Sequence, residues 1–177
     1  MGMKKLLQGI YKGIQTGEII ICLFGLIATT LLICAQVVNR YWLRIEVMWL
    51  NDLALYVFIL LMFMAFAATT WKEGHVPVEI FKNMVFKNRP VGGAVYRVFL
   101  VVLSIVILLA IFPVTYQFTA RAIKYPEYAT LVRWLNTSWL MITLFVAFCL
   151  TLLHLLVILT RDIKVMVKTI QMNRRRG

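Results

Sequence analysis

Four stretches of this sequence contain no charged residue and are each long enough to cross a membrane. They cover residues 19–39, 53–71, 98–120 and 134–160. At about 1.5 Å of rise per helical residue, each extends roughly 28–40 Å, enough for a hydrocarbon core about 30 Å thick. Membrane-spanning strands alternate polar and apolar residues, and these stretches do not. The sequence therefore predicts an all-α integral membrane protein with one membrane domain over residues 1–177. Its four transmembrane helices are predicted at about residues 18–42, 50–71, 96–121 and 133–160.

The composition is that of a chain solvated largely by lipid. Hydrophobic residues make up 62% of the sequence and charged residues only 15%, whereas soluble domains carry about 25% charged residues. The formal net charge of +12 would suggest a nucleic-acid partner in a soluble protein. Here the basic residues cluster at the ends of the apolar stretches, where they set topology and meet anionic headgroups. We therefore expect membrane lipids as a partner and no nucleic acid.

The distribution of Lys and Arg predicts which helix ends face the cytoplasm. The N-terminal segment, the second loop and the C-terminal tail together hold 14 of these residues, and the first and third loops together hold 5. By the positive-inside rule, the side with 14 is cytoplasmic. Both termini are therefore predicted to lie in the cytoplasm.

Three segments on that side have the periodicity of amphipathic helices, at residues 3–16, 77–87 and 161–172. Such helices rest in the headgroup region or against a partner. The alternative is that each segment is a polar extension of the neighbouring span, and this alternative fits the middle segment least.

The interiors of the predicted spans contain no Asp, Glu, Lys or Arg. Membrane proteins that move ions or polar substrates usually place such groups near the bilayer midplane. Transporter cores also interrupt two helices with Gly or Pro at matched positions, and Pro113 stands alone in these spans. No Cys or His spacing fits a metal site. The sequence therefore predicts a chain that is not an enzyme, has no catalytic, cofactor or metal site, and does not transport by itself.

The two histidines raise an alternative, a haem b- or quinone-linked membrane anchor subunit of a respiratory oxidoreductase. His154 lies in the fourth span, about 9 Å from the cytoplasmic end of that span, whereas His75 follows the second span. Paired haem ligands need similar depth, which these two lack, although both are on the cytoplasmic side. The other interpretation of His154 is a hydrogen bond to a neighbouring helix.

Gly9, Gly13 and Gly17 recur at four-residue spacing before the first span. On a helix they would leave a smooth ridge that another helix could approach closely. The alternative is loose glycine in a juxtamembrane segment.

Two short motifs flank the second predicted span. It opens with Trp49-Leu50-Asn51-Asp52-Leu53-Ala54 and is followed by Lys72-Glu73-Gly74-His75-Val76-Pro77-Val78-Glu79. These motifs resemble those of the small membrane subunit, the DctQ type, of tripartite ATP-independent periplasmic (TRAP) transporters. That family opens the span with Trp-x-x-Glu-Leu-Ala, closes it with a basic residue and follows it with His-x-x-x-acidic. Here Asp52 replaces the usual Glu, Trp71 stands where a basic residue is common, and Ala65 stands where Gly is frequent. The four-span plan with its long second loop extends the resemblance over the whole chain.

The resemblance implies a subunit of a sodium-coupled secondary transporter in the bacterial inner membrane. Its partners would be a large elevator-type permease, which holds the sodium and substrate sites, and a periplasmic substrate-binding protein. Substrates of the family are carboxylate-bearing organic acids of the dicarboxylate or sialic acid type. The small subunit would act as a non-catalytic scaffold that braces the permease. A third possibility is an independent small membrane protein, such as a stress or assembly factor.

On this hypothesis the candidate residues are structural. Trp49 and Asp52 would fix the periplasmic start of the second span, while Lys72, His75 and Glu79 would fix its cytoplasmic exit. The alternative for each is an ordinary interface anchor or helix cap.

Overall fold

The computed structural model describes residues 2–45, 47–72, 90–129 and 136–174, and most of them are helical. Within these ranges, four helices are long and apolar enough to cross a membrane, which confirms the predicted number of spanning segments. Within the described ranges, the only strand-like pairing is one antiparallel bridge between Tyr128 and Asn136. The described fold is therefore all-α. Its helices are α1 (Gly2–Val38), α2 (Met48–Trp71), α3 (Pro90–Lys124) and α4 (Ser138–Arg174).

Three helices are much longer than a membrane crossing requires. α1 and α4 each contain 37 residues and α3 contains 35, against about 20 for the hydrocarbon core. The amphipathic segments predicted at residues 3–16 and 161–172 are helical and continuous with α1 and α4. The segment predicted at 77–87 lies outside the described residues. That these segments rest in the headgroup region stays a prediction.

α1 ends in a π-helical turn, Asn39–Leu43, rather than in a glycine cap. The carbonyl of Asn39 accepts the backbone N–H of Ile45 at 3.1 Å and also that of Arg44. Arg44 has φ 51°, in the left-handed region that non-glycine residues rarely adopt. These bonds satisfy the last carbonyls of the helix and turn the chain towards α2.

α4 begins at Ser138, five residues later than the span predicted from hydropathy. The side-chain oxygen of Asn136 accepts the backbone N–H of Ser138 at 2.8 Å, and the carbonyl of Thr137 accepts that of Leu140 at 3.0 Å. An Asn side chain that bonds to the backbone in this way starts a helix. Trp134, the aromatic residue predicted to open the span, lies outside the described residues.

The chain forms two compact units. The first comprises Met1–Ala68 and Thr115–Ala147. Within it, α1 and α2 approach closely at Gly25, where an added Cβ would lie 3.2 Å from Leu61 Cβ. α3 and α4 are joined by two side-chain bonds to backbone carbonyls, from Thr119 to Met141 at 3.3 Å and from Ser138 to Ala122 at 2.6 Å. Small residues and hydroxyl groups thus bring helices together in this unit, as is typical in membranes.

The second unit comprises Thr69–Val114 and Phe148–Gly177. Its α4 segment buries a stripe at helical spacing that includes Thr151, Leu155 and Ile158. Phe112 of α3 packs against Phe148 with ring centroids 6.4 Å apart. The same two helices also make a polar contact in this unit, an ion pair between Arg97 and Asp162.

The helices differ greatly in how much of their surface the chain itself covers. In the most apolar part of each helix, 33% of the residues of α2 are buried, but only 17% of α1 and 11% of α3. α1 and α3 therefore present most of their apolar side chains outward.

Candidate functional site

The start of α2 carries the first pair of predicted site residues. Asp52 is buried, with 9% of its surface exposed, whereas Trp49 is 48% exposed. The structure therefore places Asp52 inside the first unit and Trp49 on its surface.

A polar side-chain bond next to this pair joins α1 to α2. The amide nitrogen of Gln36 donates to the side-chain oxygen of Asn51 at 2.8 Å. Between the two helices lies a cavity of about 340 Å³. Its lining residues are Gln36, Asn39, Arg40, Ile45, Val47, Met48 and Asn51.

The exit of α2 carries the second predicted group, of which one residue is described. Lys72 follows the last residue of the helix, and its Nζ lies 5.7 Å from the centre of the Trp71 ring, in a cation–π contact. The indole nitrogen of Trp71 is buried and has no hydrogen-bond partner among the described residues. His75 and Glu79 lie outside the described residues, so their predicted role stays a prediction.

The glycine ridge lies in the N-terminal part of α1. At Gly9, Gly13 and Gly17, an added Cβ would meet no described atom within 4 Å. The ridge is therefore not used for packing within the described part of this chain. Gly25 has that role instead, through its contact with Leu61.

His154 is fully buried in the second unit, with 0% of its surface exposed. Thr151, which precedes it by about one turn, is 1% exposed. Among the described residues, no three His, Cys, Asp or Glu side chains lie close enough together to hold a metal ion. Because His75 is not described, the distance between the two histidines stays untested.

An ion pair links α3 and α4 in the second unit, and the sequence did not predict it. Arg97 Nε lies 2.7 Å from a carboxylate oxygen of Asp162, and Arg161 lies 3.3 Å from the other oxygen. Asp162 is 5% exposed. The sequence does contain an indication of this ion pair, because Asp162 is the only acidic residue after the fourth predicted span and basic residues lie close to it in the sequence.

Glu18 is a second buried acid that hydropathy did not single out. It directly precedes the first charge-free stretch and is only 2% exposed. An acid at the edge of an apolar stretch is indistinguishable in sequence from an exposed boundary residue. Its burial is therefore a finding of the structure alone.

Taken together, the polar contacts described above join α1 to α2 in the first unit and α3 to α4 in both units. The family model described as the DctQ component of tripartite ATP-independent periplasmic transporters matches residues 29–165, more than half of the chain. A search of curated proteins gave no match. With four apolar helices among its described residues and a family match that extends from the first of them into the fourth, this multi-pass membrane protein belongs to the DctQ family of TRAP transporter components.

Proposed function

We propose that this chain is the non-catalytic scaffold subunit of a sodium-coupled TRAP transporter in the bacterial inner membrane. It braces a large elevator-type permease, to which a periplasmic binding protein delivers a carboxylate-bearing organic acid of the dicarboxylate or sialic acid type. The observation that carries the proposal is the DctQ family match over residues 29–165.

The outward apolar surface of α1 and α3 supports a bracing role. Only 17% and 11% of the residues in their most apolar parts are buried within the chain. Lipid tails are as apolar as these side chains, so hydrophobicity alone does not drive helix association in a bilayer. A permease would therefore be held by close packing and a few polar contacts along these faces.

The polar contacts within the chain support a static structure. Gln36 bonds to Asn51 in the first unit, and Arg97 pairs with Asp162 in the second. Each contact joins two consecutive helices, across 15 positions of the sequence in the first unit and 65 in the second. Polar groups used in this way stabilise helix packing and leave substrate and sodium recognition to the permease.

The direct test is reconstitution with the cognate permease and binding protein in proteoliposomes. With an inward sodium gradient, uptake of a radiolabelled organic acid should require all three proteins. Replacing sodium by potassium on both sides is the control for coupling. The chain should also co-purify with the permease in mild detergent.

Two results would contradict the proposal. One is undiminished uptake by the permease and binding protein without this chain. The other is saturable binding of the organic acid to this chain alone, measured by isothermal titration in detergent, because a scaffold has no substrate site.

A further inference from the structure

The cavity between the end of α1 and the start of α2 has the chemistry of an anion site. It measures about 340 Å³, within the size range of small-ligand pockets, which begins at about 300 Å³. All of its lining residues belong to the first unit. We propose that this cavity binds a phosphate oxyanion, and that its occupant in the membrane is the phosphate of a phospholipid headgroup.

The donors that line the cavity suit an oxyanion. Arg40 contributes a guanidinium group, which offers five N–H donors and a permanent positive charge. The amides of Gln36, Asn39 and Asn51 add neutral donors. Among the described lining residues there is no carboxylate to oppose a bound anion. Charge-assisted bonds from arginine to phosphate are among the strongest hydrogen bonds in proteins.

The Asn51 amide and the backbone of the turn that carries Arg40 are held in place before any ligand arrives. Because the oxygen of the Asn51 side chain accepts a bond from Gln36 at 2.8 Å, the Asn51 NH₂ group remains as its donor to a ligand. Arg40 lies in the π-helical turn, which is closed by hydrogen bonds from the backbone N–H groups of Arg44 and Ile45 to the Asn39 carbonyl. Single π-turns and strained non-glycine residues are frequent at functional sites.

The surroundings of the cavity favour a lipid as the source of the phosphate. Ile45 and Met48 line it and are each 57% exposed, and Trp42 nearby is 85% exposed. Aromatic side chains at the ends of spanning helices lie at headgroup depth. A phospholipid fits this arrangement, because its phosphate can bind the polar donors while its acyl chains lie against the exposed apolar side chains.

The test uses the full-length chain, stripped of lipid in mild detergent, and thermal unfolding with native mass spectrometry. The probes are phosphatidylglycerol, phosphatidylethanolamine, diacylglycerol and inorganic phosphate at matched concentrations. Both phospholipids should stay bound and raise the unfolding temperature, whereas diacylglycerol, which lacks the phosphate, should not. Stabilisation by inorganic phosphate equal to that by phospholipid would overturn the lipid as the occupant. Equal effects of diacylglycerol and phospholipid would overturn phosphate recognition altogether.

Substitutions of single arginines test whether the phospholipid binds in this cavity. Arg40→Gln should weaken phospholipid binding about tenfold, as expected for the loss of one charge-assisted contact. Arg44→Gln removes the same charge from a neighbouring residue whose side chain does not line the cavity. Because Arg44 takes part in the turn only through its backbone N–H, which the variant keeps, binding should be unchanged. Arg40→Lys, which keeps the charge, should bind with intermediate affinity, and far-ultraviolet circular dichroism checks that each variant is helical. Equal losses for Arg40→Gln and Arg44→Gln, or no loss for either, would overturn the proposal.

Discussion

Arg97 and Asp162 are separated by 65 positions in the sequence, yet Arg97 Nε lies 2.7 Å from Asp162 Oδ2. The Asp162 side chain is 5% exposed and that of Arg97 is 30% exposed. Because a buried carboxylate without a cation is costly, this pair constrains which faces of α3 and α4 meet. It lies where the charge-free stretches of these two helices end, at Val98 and Thr160.

Removal of this carboxylate should destabilise the protein. Asp162→Ala removes the buried carboxylate that accepts the 2.7 Å bond from Arg97, so we expect the free energy of unfolding to fall by about 1–3 kcal/mol. Thermal unfolding in detergent, followed by circular dichroism, measures the shift. Arg161→Gln is the matched control, because its contact is longer, at 3.3 Å, and its side chain is 53% exposed. It should change stability by less than about 1 kcal/mol. An equal shift for both variants would show that the Arg97 contact contributes nothing specific.

The number and type of helices could be predicted from the sequence, because charge-free length is a direct consequence of membrane solvation. The contacts between helices could not. Gln36 and Asn51 each look like ordinary polar residues at the end of a span, and only the rotation of α1 and α2 brings them to 2.8 Å. The rotation of each helix about its own axis depends on side-chain packing over the whole helix face, and hydropathy does not encode that packing.

The glycines of α1 also show that helix contacts could not be predicted from the sequence. Gly9, Gly13 and Gly17 form a visible four-residue repeat, but an added Cβ at any of them would meet no described atom within 4 Å, whereas the isolated Gly25 makes the close helix contact. A repeat predicts where a helix is smooth. It does not predict which smooth surface the chain itself uses.

Substitution of Gly25 should depend steeply on side-chain size. An alanine Cβ would lie 3.2 Å from Leu61 Cβ, which a small helix shift relieves, so Gly25→Ala should be nearly neutral. Gly25→Leu forces the helices apart and should cost about 1–3 kcal/mol. Thermal unfolding of both variants measures this. Gly17→Leu is the control, since an added Cβ there meets no described atom within 4 Å. If Gly25→Leu is as stable as Gly17→Leu, the close approach of α1 and α2 is not a determinant of stability.

The predicted orientation can be tested by cysteine accessibility. On a background lacking Cys22, Cys34 and Cys149, single cysteines at positions 46 and 127 should react with a membrane-impermeant maleimide in intact cells. Positions 87 and 174 should react only after permeabilisation, because the 14 Lys and Arg on their side are expected to face the cytoplasm. Labelling of position 87 in intact cells would reverse the assignment.

The haem alternative predicts an optical signature that the scaffold does not. The purified protein should show no Soret band and no reduced-minus-oxidised α-band. His154→Ala should then act only on stability, lowering the free energy of unfolding by about 1–3 kcal/mol because the side chain is 0% exposed. A Soret band that disappears in His154→Ala would favour the respiratory anchor subunit over the transporter scaffold.

The glycine ridge is expected to matter only when the permease is present. An added Cβ at Gly13 would meet no described atom of this chain within 4 Å. Gly13→Leu should therefore leave the unfolding temperature of the isolated subunit unchanged, or raise it slightly because leucine favours a helix more than glycine does. If a permease helix packs on the ridge, the same change should separate the two backbones and reduce co-purification about fivefold, which corresponds to about 1 kcal/mol of association free energy. Quantitative pull-down in mild detergent measures the ratio of permease to subunit. Gly13→Ala should lose less than Gly13→Leu because the added volume is smaller. Undiminished co-purification of Gly13→Leu would show that the ridge faces lipid or water and that the permease binds elsewhere.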